Sequence, residues 1–241
     1  MTKSVPALAW EIDYYVVKDQ AEPFQIHSTP GKHHGIISDI ISTALEDSEH
    51  SFNPQILPFK RMYAQLEKEQ MKNWVTFGSP LWGDMQSSNL STTPIIDVQH
   101  TLMTSAKSDF HYASEHDLQK KHVILLFGFD YPGLTRMIQQ GAVKSINVKS
   151  YDAAFDLSET QRKNLAGFVE MNLRIKYNLN KSGRDTSNFK FFSLSDVIPD
   201  YKIYLAYSPG IDDEIKSFFD IKLAEMRLDG RLETIINRYR Y

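Results

Sequence analysis

Cysteine is absent from this chain of 241 residues, which excludes disulfides, thiolate metal sites, a cysteine nucleophile and a lipidated cysteine. No apolar run approaches the ~20 residues that span a bilayer. The start, Met1-Thr2-Lys3-Ser4-Val5-Pro6, has no apolar core of signal-peptide length. A removed export signal would leave such a start, and so would a cytosolic protein. Clustered basic residues are also missing. The 27 Lys and Arg stand against 30 Asp and Glu, a formal charge of −3 with no long run of either sign, which argues against a nucleic-acid partner that requires grouped cations. No Ser-His-Asp order, phosphate-cradling glycine loop or nucleotide fingerprint occurs, so catalysis has no positive signal. His27, His33 and His34 share one loop, but without cysteine or an i, i+4 histidine pair they make a poor zinc site. No metal and no cofactor are expected, and His111, His116 and His122 are expected to face solvent.

What is present is ordinary for a soluble globular protein: 41% hydrophobic and 24% charged residues, enough for one large domain or two small ones. Its most informative feature is an echo between the halves. Pro58-Phe59-Lys60-Arg61-Met62-Tyr63-Ala64-Gln65-Leu66-Glu67 leads into the apolar strand Trp74-Val75-Thr76-Phe77-Gly78, and Ser150-Tyr151-Asp152-Ala153-Ala154-Phe155-Asp156-Leu157 leads, after a polar stretch, into Ala166-Gly167-Phe168-Val169-Glu170-Met171-Asn172. Two α/β units of similar plan imply two lobes, and in open α/β sheets ligands bind outside the carboxyl ends of the strands.

Along the chain, Val5 to Val17 reads as a strand, followed by a turn region rich in Pro, Gly and His. Apolar residues at helical spacing predict a helix opened by Gly35 and running from Ile36 to Leu45. A strand over Phe52 to Leu57, a helix from Pro58 to Leu66 and the strand Trp74 to Gly78 follow, and then a loop from Ser79 to Pro94. Gln99 to Ser105 is expected as an extended crossing. Next come a strand over Val123 to Gly128, a helix starting near Pro132, a strand over Ser145 to Val148, a helix capped by Ser150 and a strand over Gly167 to Met171. Lys202 to Tyr207 is the last strand and the return crossing. A long amphipathic helix spans Ile211 to Leu228, and Asp229-Gly230 breaks it before Leu232 to Tyr239.

The order and spacing of several phrases resemble the bacterial extracellular solute-binding proteins of family 3. These are Glu22-Pro23-Phe24, Gly35-Ile36-Ile37-Ser38-Asp39-Ile40, Pro58-Phe59-Lys60-Arg61, Gly128-Phe129-Asp130-Tyr131-Pro132, Gly167-Phe168-Val169-Glu170, and Leu228-Asp229-Gly230-Arg231-Leu232 with Ile235-Ile236 and Tyr239. The resemblance covers nearly the whole chain. It implies an α/β, two-lobed periplasmic-binding-protein-like fold in which two strand crossovers, near His100–Ser105 and Tyr204–Ser208, form a hinge. Residues 1–102 with 208–241 would make one lobe and residues 103–207 the other. The implied role is non-catalytic binding of a small-molecule ligand between the lobes of a periplasmic monomer, for an ABC-type importer. A sensing module read by a membrane receptor, or a dehydratase-like enzyme using Glu170 as acid or base, are the alternatives.

The chain departs from the family where α-amino acids are held. An Arg usually follows the strand equivalent to Trp74–Gly78 and pairs bidentately with the ligand carboxylate, but here Ser79-Pro80-Leu81-Trp82-Gly83-Asp84-Met85-Gln86 holds no base. The position of the amino-group carboxylate is matched by Met171, with Glu170 and Asn172 beside it. An ordinary amino-acid ligand is therefore not expected.

The candidate ligand-binding residues each have a plainer alternative. Tyr14, with Tyr15, ends the first strand, Phe24 follows its turn, and Phe77 and Trp82 flank the third strand; such rings could clamp a flat or apolar ligand or could be core. Arg61 could reach an anionic group or form a surface ion pair. Tyr131 stands at a helix start, where free N–H groups favour an anion. Glu170 and Asn172 end a strand, where a carboxylate would suit a cationic or hydroxylated ligand, and Asn172 could instead cap a helix.

Overall fold

The computed structural model of the chain describes residues 9–29, 32–160 and 162–241. In chain order the strands and α-helices are β1 (Glu11–Val17), β2 (Ile26–Thr29), β3 (Lys32–His34), α1 (Ile36–Leu45), β4 (Ser51–Leu57), α2 (Phe59–Lys68), β5 (Trp74–Gly78), β6 (Ile96–Val98), β7 (His100–Ser105), β8 (His122–Leu126), α3 (Leu134–Gln139), β9 (Lys144–Val148), α4 (Tyr151–Glu159), β10 (Leu165–Met171), α5 (Asn172–Lys181), β11 (Phe189–Ser193), β12 (Tyr201–Tyr207), α6 (Asp213–Leu228) and α7 (Arg231–Asn237). The α/β class read from the sequence is the observed one. The chain divides into two compact units: the described residues up to Thr93 with Tyr204–Ile236, and Pro94–Ile203 with Asn237–Tyr241.

In the first unit β4, β1 and β5 are parallel, and Tyr204–Tyr207 of β12 runs antiparallel to β5. The first strand begins at Glu11, while Val5 to Leu8 of the predicted strand lie outside the described residues. Helix α1 has the predicted bounds because Ile36, Ile37, Ile40, Ile41, Ala44 and Leu45 place one apolar stripe on the sheet. Its first N–H groups, those of Ile36 and Ile37, donate to the carbonyls of Pro23 and Phe24 at 3.0 and 2.9 Å. That approach needs Gly35, whose φ is +112° and whose added Cβ would lie 2.8 Å from both carbonyl oxygens. Helix α2, opened by Pro58, buries Met62 and Leu66 one turn apart against Tyr15, Val17 and Trp74. The Pro-, Gly- and His-rich stretch read as a turn also holds the antiparallel pair β2–β3.

The second unit is a sheet of order β11-β7-β10-β8-β9, with β8, β9 and β10 parallel and β7 antiparallel to both neighbours. Helices lie on both faces, which is why β8 reads as the continuous apolar run Val123-Ile124-Leu125-Leu126. Its alternate residues serve different cores. Val123 and Leu125 pack with Leu134, Met137 and Ile198, while Ile124 and Leu126 pack with Phe155, Phe168 and Ile175. Ser150 caps α4 as expected, its hydroxyl accepting from the Ala153 N–H at 3.2 Å. Helix α3 starts at Leu134, two residues past Pro132, with Gly133 at its N-cap. Helix α5 and strand β11 are elements that the sequence reading does not place.

Candidate functional site

Most of the sequence-predicted residues lie at or just past the carboxyl ends of the parallel strands of each unit, whereas Tyr14 lies in the middle of β1. In the first unit the turn after β1 is fastened by one side chain. The Gln25 amide accepts from the Val17 N–H at 2.9 Å and donates to the Tyr15 carbonyl at 2.8 Å and the Tyr14 hydroxyl at 2.9 Å. Tyr14 also shares a hydrogen bond of 2.9 Å with Ser38, and its ring stands edge-on to His33 and Phe52. It is fully buried, and burial raises its phenol pKa above the ordinary value.

Phe24 leaves this turn with its ring centroid 5.6 Å from that of Phe77, and Phe77 lies 5.5 Å from Trp82 in a T-shaped pair. The turn carrying Trp82 is tied down from both ends. Gln86 donates from Nε2 to the Phe77 carbonyl at 2.7 Å, its own carbonyl accepts from the Ser79 N–H at 3.0 Å, and the Trp82 N–H donates to Ser79 O at 3.0 Å. Gly78 permits that closure, since a Cβ there would sit 1.9 Å from the Gln86 carbonyl oxygen. Phe24 and Phe77 are buried and Trp82 is half-buried, so the three rings form one continuous aromatic ledge past the end of β5. Arg61 is exposed on the first turn of α2, at the end of β4.

In the second unit Tyr131 stands past the end of β8, Glu170 is the penultimate residue of β10, and Asn172 directly follows that strand. The Tyr131 hydroxyl accepts from the Leu126 N–H at 3.1 Å and donates to Glu170 Oε2 at 3.3 Å. Glu170 Oε1 accepts from the Met171 N–H at 2.8 Å and from Arg174 at 3.2 Å. The Glu170 side chain is 1% exposed and that of Arg174 is 3%. The Arg174 guanidinium also lies over the rings of Phe129 and Tyr151, 4.8 and 5.7 Å from their centroids. Burial opposes the Arg174 charge, but the Glu170 carboxylate and neighbouring phenols outweigh it and hold the pKa above its ordinary value. Burial, reinforced by Glu170, raises the Tyr131 phenol. Asn172 is the first residue of α5 and Met171 holds the cap position, so no side chain caps that helix.

The sequence reading missed His100 and Arg174. His100 is buried with its Nδ1 unpartnered and its ring 6.2 and 5.7 Å from Tyr131 and Tyr201; burial lowers its pKa against the opposing pull of Glu170. The signal for Arg174 was its i, i+4 spacing from Glu170, legible only once α5 is known to start at Asn172. Among the described residues no group of three His, Asp or Glu could hold a metal ion, and no helix is long and apolar enough to cross a membrane. His27, His33 and His34 lie on the β2–β3 pair. His111 and His116 are exposed, whereas His122 is half-buried at the start of β8.

No protein-family model and no curated protein matches the chain. Solved structures do. A substrate-binding protein of an ABC uptake transporter from Streptococcus pneumoniae, with bound histidine, is 14% identical at a TM-score of 0.72, covering 95% of this chain and 92% of that one. A histidine kinase sensor domain with similarity to periplasmic binding proteins is 17% identical at 0.69, covering 95% of each chain. The periplasmic VFT2 domain of BvgS from Bordetella pertussis is 16% identical at 0.69, covering 95% of this chain and 93% of that one. The chain thus has the fold of the periplasmic binding proteins.

Proposed function

We propose that the chain is a non-catalytic receptor for a small solute, held by residues at the strand ends of both units, and that it serves ABC-type uptake from the periplasm. Its ligand is not an ordinary α-amino acid. The observation that carries this reading is the setting of Glu170: its carboxylate is buried and met by Tyr131, the Met171 N–H and Arg174, so it is not presented to an ammonium group. The first unit adds the aromatic ledge of Phe24, Phe77 and Trp82 and no Lys or Arg from Ser79 to Gln86. Such a face suits a flat or apolar solute. A carboxylate engaged in this way is also a poor proton carrier, which supports binding over catalysis. The chain passes between the units at Thr93/Pro94, Ile203/Tyr204 and Ile236/Asn237, and closure over the solute would turn on the first two.

A sensing role is the second reading, favoured by the likeness to a kinase sensor domain and to the BvgS domain. Mass spectrometry of small molecules released on denaturing the natively purified protein tests the ligand class, and the expected result is one solute in stoichiometric amount that is not a proteinogenic amino acid. Release of a common amino acid sinks that class, and turnover of the released solute sinks the non-catalytic role. Deleting the gene then separates uptake from sensing: loss of solute uptake supports the importer, and intact uptake with a lost transcriptional response supports the sensor.

A further inference from the structure

The second unit holds a cavity of about 520 Å³ where β7 ends and where β8 and β10 begin. This is the opposite end of the sheet from Tyr131, Glu170 and Asn172. Its walls come from the turn after β7, the residue before β8 and the link into β10, which bring Lys107, Lys121, Arg162 and Lys163 around one space. None of these four cations has a carboxylate partner among the described residues, whereas Arg184, Lys202 and Arg231 are each paired with one. Of the two carboxylates in the lining, Asp117 is committed to the N–H groups of Ala113 and Ser114 at 2.8 and 2.9 Å. Asp109 remains as the local counter-charge.

The walls are held in place before any ligand arrives. The Ser105 hydroxyl accepts from the Lys107 N–H at 3.2 Å, and Lys190 donates to the Ser108 carbonyl at 2.7 Å, fixing the turn after β7. Lys121 rests with Nζ 5.4 Å from the Phe110 ring centroid. Asn164, at φ +67°, takes the His122 N–H on its carbonyl at 2.8 Å, fixing the link into β10. In a chain of formal charge −3, four cations against two carboxylates around one concavity of small-ligand size focus a positive potential, and fixed walls spare a ligand the cost of ordering them.

We propose that this cavity binds a phosphate group, with Phe110 as an apolar wall for what carries it. A phosphate suits it better than a lone carboxylate because cations converge from three separate segments and can engage several oxygens at once. The phosphate is supplied by a soluble phosphorylated molecule or by a lipid headgroup, and one experiment separates the two. Calorimetric titration of the full chain with pyrophosphate is run beside co-sedimentation with vesicles of phosphatidylglycerol or of phosphatidylcholine. Each assay is repeated for the double variant Lys107→Gln/Lys163→Gln, whose two side chains are exposed and whose melting temperature should match that of the parent. Saturable 1:1 pyrophosphate binding that weakens with added salt and falls at least about tenfold in the double variant supports a soluble source. Binding confined to phosphatidylglycerol vesicles, and lost in the same variant, supports the headgroup. Saturable binding to neither probe overturns the proposal, as does binding that is undiminished in the double variant.

Discussion

Glu170 and Arg174 are partners across a strand-to-helix junction: the carboxylate leaves β10, the guanidinium enters α5 one turn later, and they meet at 3.2 Å with both side chains buried. Breaking a buried pair from one side strands the other charge, so Arg174→Ala should destabilise the protein by about 3–5 kcal/mol. Restoring neutrality with Glu170→Gln in the same chain should recover part of that loss. Urea denaturation of the single and double variants measures both, and a cost below about 1 kcal/mol for the single variant would show that the pair behaves as an exposed one.

Removing the Trp82 ring should weaken solute binding far more than folding, because this half-buried ring extends the ledge of Phe24 and Phe77 rather than filling the core around Trp74. For Trp82→Ala the loss of a central aromatic contact of about 2 kcal/mol or more corresponds to an affinity drop of at least about tenfold. The melting temperature should change little. A collapse in thermal stability with normal binding by the residual folded protein would make Trp82 a core residue.

Proteinogenic amino acids should bind weakly or not at all. A ligand carboxylate desolvated without an Arg partner forgoes a charge-assisted contact of about 1.5–3 kcal/mol, and the ammonium group finds Glu170 already satisfied. Calorimetry with a panel of common amino acids checks this. Affinity at about the micromolar level or tighter for any of them, with Arg61 substituted by Ala to remove a base that stands beside Lys60 at the end of β4, runs against the expectation.

Acid should weaken the fold before the carboxylates titrate. Burial lowers the pKa of His33, with His34 and His27 adding to it, and burial lowers that of His100 despite Glu170, both from 6.5. The unfolded chain therefore takes up these protons first. Their contribution is fully present above about pH 6.5 and is lost as pH falls toward the folded-state values, at no more than ~1.4 kcal/mol per pH unit for each group. Urea midpoints at about pH 7.5, 6.5 and 5.5 should fall over the lower interval, and His100→Asn should reduce that slope. An unchanged midpoint in the parent across the series contradicts the assignment.

Much of the architecture was legible because local pattern and tertiary burial agree. The stripe from Ile36 to Leu45 fixes α1 to the residue, and Trp74–Gly78, buried throughout, could only be an interior strand. Helix α5 was illegible for the converse reason. Its buried face holds Arg174 and Asn178 beside Ile175 and Leu179, so the apolar period that marks a helix is interrupted by the residues that satisfy Glu170 and the helix's own carbonyl. Strand β11 was missed because its pairing with β7 is set by residues more than 80 positions away, Phe189 opposite Ser105. The same limit hid His100 from the site, since nothing local to it announces the rings of Tyr131 and Tyr201.

The Gln25 side chain reproduces, at the end of β1, what a neighbouring strand's peptide group would supply. Its oxygen meets the Val17 N–H while its nitrogen meets the Tyr15 carbonyl. At this place the sequence is constrained at the level of a single element, nitrogen against oxygen. Glutamate has the same shape but would set a lone pair against the Tyr15 carbonyl, and leucine would leave two buried backbone groups unanswered. A change of one atom in Gln25 would thus reach, through the loosened turn, the Phe24 carbonyl that opens α1 and the Phe24 ring that meets Phe77.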